Sequence, residues 1–106
     1  MSNQLLLGKR VLVTHADAFM GPVLCEVLAS HGATVIPNTD PLSSADAPGA
    51  IVAESGQVDI LVANLAMPAP STAATDVSDD EWDDVFAALV HPLPRLFRAV
   101  LPAMIE

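Results

Sequence analysis

Arg10-Val-Leu-Val-Thr14 runs directly into His15-Ala-Asp-Ala-Phe-Met20 and then Gly21-Pro22. The first five residues form a short β-branched, apolar run, the pattern of a strand buried on both faces of a parallel sheet. A turn follows, and Gly21-Pro22 opens a helix, because proline at the first helical position has its φ preset and lacks only an N–H that would be unpaired there. Val23, Leu24, Val27 and Leu28 are expected on one face of that helix, Glu26 and Ser30 on the other. Gly32 is a C-terminal stop, and Ala33 to Pro37 reads as a second buried strand. Strand, turn, helix and strand between Arg10 and Pro37 make a βαβ unit, whose crossover is right-handed.

Asn38 to Pro48 is rich in Pro, Ser, Asp and Ala and reads as a loop. A short helix from Pro48 to Ser55 ends at Gly56, and Gln57-Val58-Asp59 leads into a third strand, Ile60 to Asn64. Met67 to Asp76 is a second loop. Ser78-Asp79-Asp80-Glu81 has the form of a capping box, with Ser78 as the cap and Glu81 reaching back, while Asp79 and Asp80 favour the positive end of a helix. From Trp82 to Met104 apolar residues recur at spacings of three and four, which gives one long helix with a wide apolar face. Pro92 and Pro94 must kink or break it near its middle. That face is expected in the core or against another subunit.

A chain of 106 residues holds one domain at most. Its hydrophobic fraction, 52%, is high for so small a surface. A domain this size buries about two-thirds of its unfolded surface, so part of the apolar content is expected to meet another subunit or a further part of the same fold. The net charge is −9, with 13 acids against Lys9, Arg10, Arg95 and Arg98. No basic stripe is available for phosphates, which excludes nucleic acid and an anionic membrane surface as partners. Cys25 is the sole cysteine; within its apolar run it reads as a buried, inert thiol. Met1 to Leu7 lacks the charged region and cleavage site of a signal peptide. No apolar run reaches the ~20 residues of a membrane span, so a cytoplasmic location is expected. His15, His31 and His91 stand at no metal-ligand spacing, and no metal is expected.

The order of these pieces resembles the N-terminal half of the short-chain dehydrogenase/reductase superfamily over essentially the whole chain. Val11-Leu12-Val13-Thr14 resembles its first strand. Asp59 to Asn64 resembles its fourth, which usually ends Asn-Asn-Ala-Gly; here Ala63-Asn64-Leu65-Ala66 keeps Asn64 alone. Ser78 to Trp82 resembles the start of the long family helix, whose usual mid-helix Asn falls near Leu89, and Leu101-Pro102-Ala103-Met104 resembles its end. The resemblance implies an α/β fold, a partial Rossmann-like three-layer αβα sandwich with a parallel sheet of about three strands. Residues 1–106 are then the N-terminal portion of one such domain, ending before the catalytic region. It also implies a homo-oligomer through the helix of residues 80–105. Reductases place a further helix and strand before the strand at Asp59, and this chain has room for one helix, so the outer strand flanking the adenine is expected to be missing. The ribose-binding acid of the family falls near Asn38 to Asp40, which makes Asp40 the candidate cofactor residue.

The family turn is Thr-Gly-x-x-x-Gly-x-Gly, whose glycines let the backbone approach a pyrophosphate at the helix N-terminus. Here it reads Thr14-His15-Ala16-Asp17-Ala18-Phe19-Met20-Gly21, with His15 and Phe19 in place of the first two glycines. Phe19 is expected to fill space a dinucleotide needs, and Asp17 to bring a negative charge towards it. An aromatic at Phe19 with Gly21 two residues on resembles the halohydrin dehalogenases. This resemblance implies a cofactor-independent conversion of vicinal haloalcohols to epoxides with release of halide, by a general base the chain does not carry: it contains no Tyr, and the family's catalytic Ser, Tyr and Arg fall beyond Glu106. The residues carried over are pocket and turn residues, namely Thr14, His15, Phe19, Gly21, Asn64, Leu65, Met67 and Pro68, at the strand ends where such sites lie. Two alternatives stand beside it: an NAD(P)-dependent reductase with a degenerate glycine turn, and a non-catalytic remnant or interaction subunit. The strand at Asp59 would lack a neighbour on one side, which predicts self-association of the isolated chain.

Overall fold

Val11, Leu12, Val13 and Thr14 are wholly buried, because their strand lies at the centre of the sheet. The structure, a computed structural model, describes residues 4–68 and 71–106. Its elements in chain order are β1 (Arg10–Val13), α1 (Gly21–Ser30), β2 (Thr34–Pro37), α2 (Ala47–Ser55), β3 (Ile60–Val62), α3 (Asp79–Leu89) and α4 (Pro92–Ile105). The sheet order is β2-β1-β3. β1 pairs parallel with β2, Leu12 opposite Ile36, and parallel with β3, Leu12 opposite Leu61. The sheet is open, and among the described residues nothing pairs with the outer edge of β3.

Alternation along β1 divides the core into two faces. Val11 and Val13 face α1 and pack with Cys25, Leu28, Val35, Ile60 and Val62. Leu12 faces the opposite side, among Leu42, Ile51, Val58, Leu96 and Val100, which bring α2 and α4 together. Helix, sheet and helices make the three layers expected of a Rossmann-like α/β fragment.

Several local expectations need correction. On α1 the residues that reach the sheet are Cys25 and Leu28, while Val23 and Val27 stay about half exposed. Cys25 is partly rather than fully buried. β3 ends at Val62 rather than Asn64, because the Asn64 N–H folds back to donate to the Val62 carbonyl (3.0 Å). The Ser78 hydroxyl accepts from the Glu81 N–H (3.1 Å), but the Glu81 carboxylate is held instead by the Thr72 hydroxyl (2.8 Å), so only half of the capping box forms. The long helix does break: Val90 and His91 N–H both donate to the Phe86 carbonyl, and Pro92 and Pro94 supply no N–H to carry the ladder onward. By length and composition alone Asp79–Ile105 could cross a membrane. Here the break divides it and α4 sinks Leu96 and Val100 into the core. Part of the second loop, residues 69 and 70, and the start of the N-terminal segment, residues 1–3, lie outside the described residues.

Candidate functional site

The turn between β1 and α1 is fixed to both neighbouring strand ends. The Thr14 hydroxyl donates to the Asn64 carbonyl (2.7 Å). The Asn64 side-chain amide donates to two turn carbonyls, those of His15 and Ala18, at 3.0 Å each. The Ala66 N–H donates to Nδ1 of His15 (2.9 Å), so that nitrogen is unprotonated. On the other side the Ala16 N–H donates to the Asn38 carbonyl (2.9 Å) just past β2. Thr14, His15 and Asn64 therefore act together, and Asn64, 7% exposed, spends its buried amide on shaping the turn.

The backbone of this turn is more informative than its side chains. His15 has φ +44° and Phe19 φ +51°, the only non-glycine residues with positive φ among those described. These are the two positions where the resembled turn carries glycine. The left-handed region costs an ordinary L-residue roughly 1–2 kcal/mol, and the turn keeps that shape without the residue type that adopts it freely. Gly21 has no such freedom to supply, but it has no room for a side chain either: a Cβ there would lie 2.5 Å from the Ala16 carbonyl oxygen and 2.6 Å from that of His15. Its role is close packing of helix on turn.

A cavity of about 550 Å³ opens beside the turn, lined by Ala18, Phe19, Leu65, Ala66, Met67, Pro68 and Leu89. It lies at the carboxyl ends of β1 and β3, where open α/β sheets bind ligands. Leu65, Met67 and Pro68, named from the sequence, line this cavity, and Ala18, Ala66 and Leu89 line it with no signal in the sequence. Ala18 and Ala66 are small residues with no pattern of their own, and Leu89 comes from α3. Phe19 departs from expectation: its side chain is 79% exposed. The left-handed backbone swings the ring outward, so it forms part of the rim rather than filling the space. Among the described residues no cationic side chain lines the cavity, and Asp17 is exposed in the turn. Asp40 lies past the end of β2, where Asn38 holds it: Asn38 Oδ1 accepts from the Asp40 N–H (2.9 Å) and its amide donates to the carboxylate (3.3 Å).

At the opposite end of the sheet Asp59 accepts from the Arg10 N–H (2.8 Å) and from the Gln57 amide (3.0 Å). The Arg10 backbone bond first, and the Gln57 bond second, hold its carboxyl below the ordinary carboxylate value. The Arg10 guanidinium donates to the Gln57 and Ser55 carbonyls, both at 2.8 Å. This cluster fastens the end of α2 to β1 and faces away from the cavity.

The family model described as short chain dehydrogenase matches residues 38–106, beginning just past β2 and leaving the turn, α1 and β2 outside the match. The chain belongs to the short chain dehydrogenase family. The 3-oxoacyl-(acyl-carrier-protein) reductase of Escherichia coli is 31% identical over 124 aligned positions, which take in 93% of this chain and 50% of that one. The corresponding reductase of Vibrio harveyi is 28% identical, with 95% and 51% covered. The chain spans about half the length of the curated relatives it matches. Since 124 positions exceed the 106 residues here, those relatives also carry a stretch that this chain lacks. Among solved structures, a short chain dehydrogenase from Mycobacterium smegmatis superposes with TM-score 0.85 at 24% identity, over 96% of this chain and 54% of that one. The L-sorbose reductase of Gluconobacter frateurii, solved with NADPH and L-sorbose, gives TM-score 0.81 at 21% identity, over 93% and 48%.

These likenesses correct the functional expectation. The halohydrin dehalogenase and its cofactor-independent chemistry are overturned, because the family that matches is one of dehydrogenases and the relatives are reductases. The physical reason is visible in the turn. The spacing of Phe19 and Gly21 suggests a plug, and the ring is instead turned out from a backbone with positive φ at His15 and Phe19.

Proposed function

We propose that this chain is the cofactor-holding half of a cytoplasmic NAD(P)-dependent oxidoreductase of the short chain dehydrogenase family, acting on a carbonyl substrate of the kind its reductase relatives reduce. The observation that carries this reading is the left-handed backbone at His15 and Phe19, the glycine positions of the family turn. A chain released from dinucleotide binding has no reason to keep two strained residues at those places.

The residues present fit such a cofactor in shape. The turn from Thr14 to Gly21 would hold its diphosphate at the start of α1, and Asp40 its ribose. Leu65, Met67, Pro68 and Leu89 offer an apolar wall to a ring. When bound, the nicotinamide would supply or accept hydride; the chain's own residues orient it and exclude water. With no tyrosine in the chain, the reading assigns it no proton transfer. A carboxylate at Asp40, with no Lys or Arg near it in sequence, favours the ribose hydroxyl over a phosphate and hence NAD over NADP. The exposed row Phe97, Leu101 and Ile105 on α4 supports a homo-oligomeric contact along that helix.

Calorimetric titration of the chain tests this reading. NADH should bind measurably more tightly than NADPH, and Asp40→Ser should narrow the gap. Binding of neither would refute the assignment, and a preference for NADPH would refute the role of Asp40.

A further inference from the structure

His15 carries an imidazole where the family turn has no side chain, and that imidazole makes one defined bond. Its Nδ1 accepts from the Ala66 N–H (2.9 Å) across 51 residues of sequence. Ala66 lies between Leu65 and Met67, and all three line the cavity. β3 has already ended at Val62, so no sheet pairing holds this stretch. Its ties to the turn are the Asn64 amide, the Thr14 hydroxyl and this imidazole. The first two grip Asn64, upstream of the cavity wall. The imidazole grips the wall itself.

We propose that His15 is a positioning residue whose neutral imidazole latches the Leu65–Met67 wall of the cavity to the turn, and that protonation of His15 releases it. A protonated Nδ1 is a donor, so it would face the Ala66 N–H donor to donor and the bond could not persist. The latch is closed at higher pH and opens in acid. The charged groups on the segments around it are few. Asp17 stands in the same turn and is exposed, Asp40 lies past β2, Glu26 lies further along α1, and the stretch from Asn64 to Pro68 contributes none. None of them is hydrogen-bonded to the imidazole in place of Ala66. The latch stands on this geometry alone; only the identity of the wall as one that borders a bound cofactor rests on the reading of the cavity given above.

The test is read first without ligand. Backbone amide exchange of Ala66 in the 106-residue chain is followed by nuclear magnetic resonance between about pH 8 and about pH 5, the span over which histidines change charge, and corrected for intrinsic exchange. Ala66 should be protected at the upper end and lose about fivefold of that protection at the lower, the worth of one net hydrogen bond. His15→Asn keeps an acceptor that does not titrate on a residue that tolerates the left-handed region, and should hold Ala66 protected at both ends. His15→Gly should leave it unprotected throughout. Equal protection of the native Ala66 across the range, or the same acid loss in His15→Asn, would overturn the latch. NADH titrations at the two pH values separate the readings: an acid loss at Ala66 with no NADH binding at either pH leaves the latch standing and refutes the cofactor assignment.

Discussion

Replacing Phe19 should invert the usual ranking of alanine and glycine. Its ring is 79% exposed, so Phe19→Ala and Phe19→Gly lose the same modest contact. What separates the two variants is the backbone at φ +51°. Alanine retains the left-handed penalty of roughly 1–2 kcal/mol. Glycine escapes it but brings its own entropic disadvantage, about 0.5–1 kcal/mol relative to alanine. The balance leaves Phe19→Gly more stable than Phe19→Ala by about 0.5–1 kcal/mol. With a urea m-value of about 2 kcal/mol/M, that difference separates their midpoints by about 0.4 M. Far-UV circular dichroism during urea unfolding resolves it. An alanine variant as stable as the glycine variant, or more so, would refute the claim that Phe19 occupies a strained glycine position.

Gly21→Ala should destabilise by about 2–3 kcal/mol, the upper range of overpacking, because the new methyl meets the carbonyls of Ala16 and His15 rather than a yielding side chain; thermal unfolding measures it, and a neutral substitution would show that helix and turn are further apart. Asn64→Leu removes one of two hydrogen bonds at each of the His15 and Ala18 carbonyls, which keep the Ala18 and Gly21 N–H groups, and should cost about 1–3 kcal/mol, at roughly 0.5–1.5 kcal/mol for each net bond lost. Urea unfolding reads the loss, and a change below measurement would mean that water replaces the amide. Asp59 has a folded-state carboxyl held below its ordinary value. Its stabilisation is therefore present above the unfolded-state value and lost as pH falls through the folded-state value. Asp59→Asn should lower stability at neutral pH and flatten that acid dependence, and an unchanged pH profile would contradict the Arg10 and Gln57 bonds as its cause.

The βαβ unit was legible because its signals are local: a β-branched run into Thr14, a Gly-Pro helix start and a glycine stop at Gly32. The break near Pro92 was legible for the same reason, since a missing N–H interrupts a helix wherever it stands. The choice between Val23 and Cys25 for the buried face of α1 was not, because four apolar residues on a helix span more arc than the sheet covers. Glu81 went to Thr72 because a nearby hydroxyl competes with the helix end, and nothing in a capping pattern reveals a rival nine residues away. In the site, Leu65, Met67 and Pro68 followed from their place after a strand. The role of Phe19 was misread because its residue type was taken to set the space it fills, whereas the backbone direction does. The His15 to Ala66 bond leaves no periodic or spacing signal at all. It joins a side chain to a backbone group, and any residue other than proline supplies the same N–H.

We propose that the turn at Thr14–Gly21 cradles a dinucleotide although His15 and Phe19 stand at two of the family's glycine positions. Titrating NADH into the isotopically labelled chain and following backbone amide resonances tests it most directly. Saturable shifts are expected, confined to His15–Gly21, Asn38–Asp40, Leu65–Met67 and Leu89, and reversed by excess ADP-ribose. No shifts, or shifts centred on the hollow beside Val77 and Trp82, would contradict it.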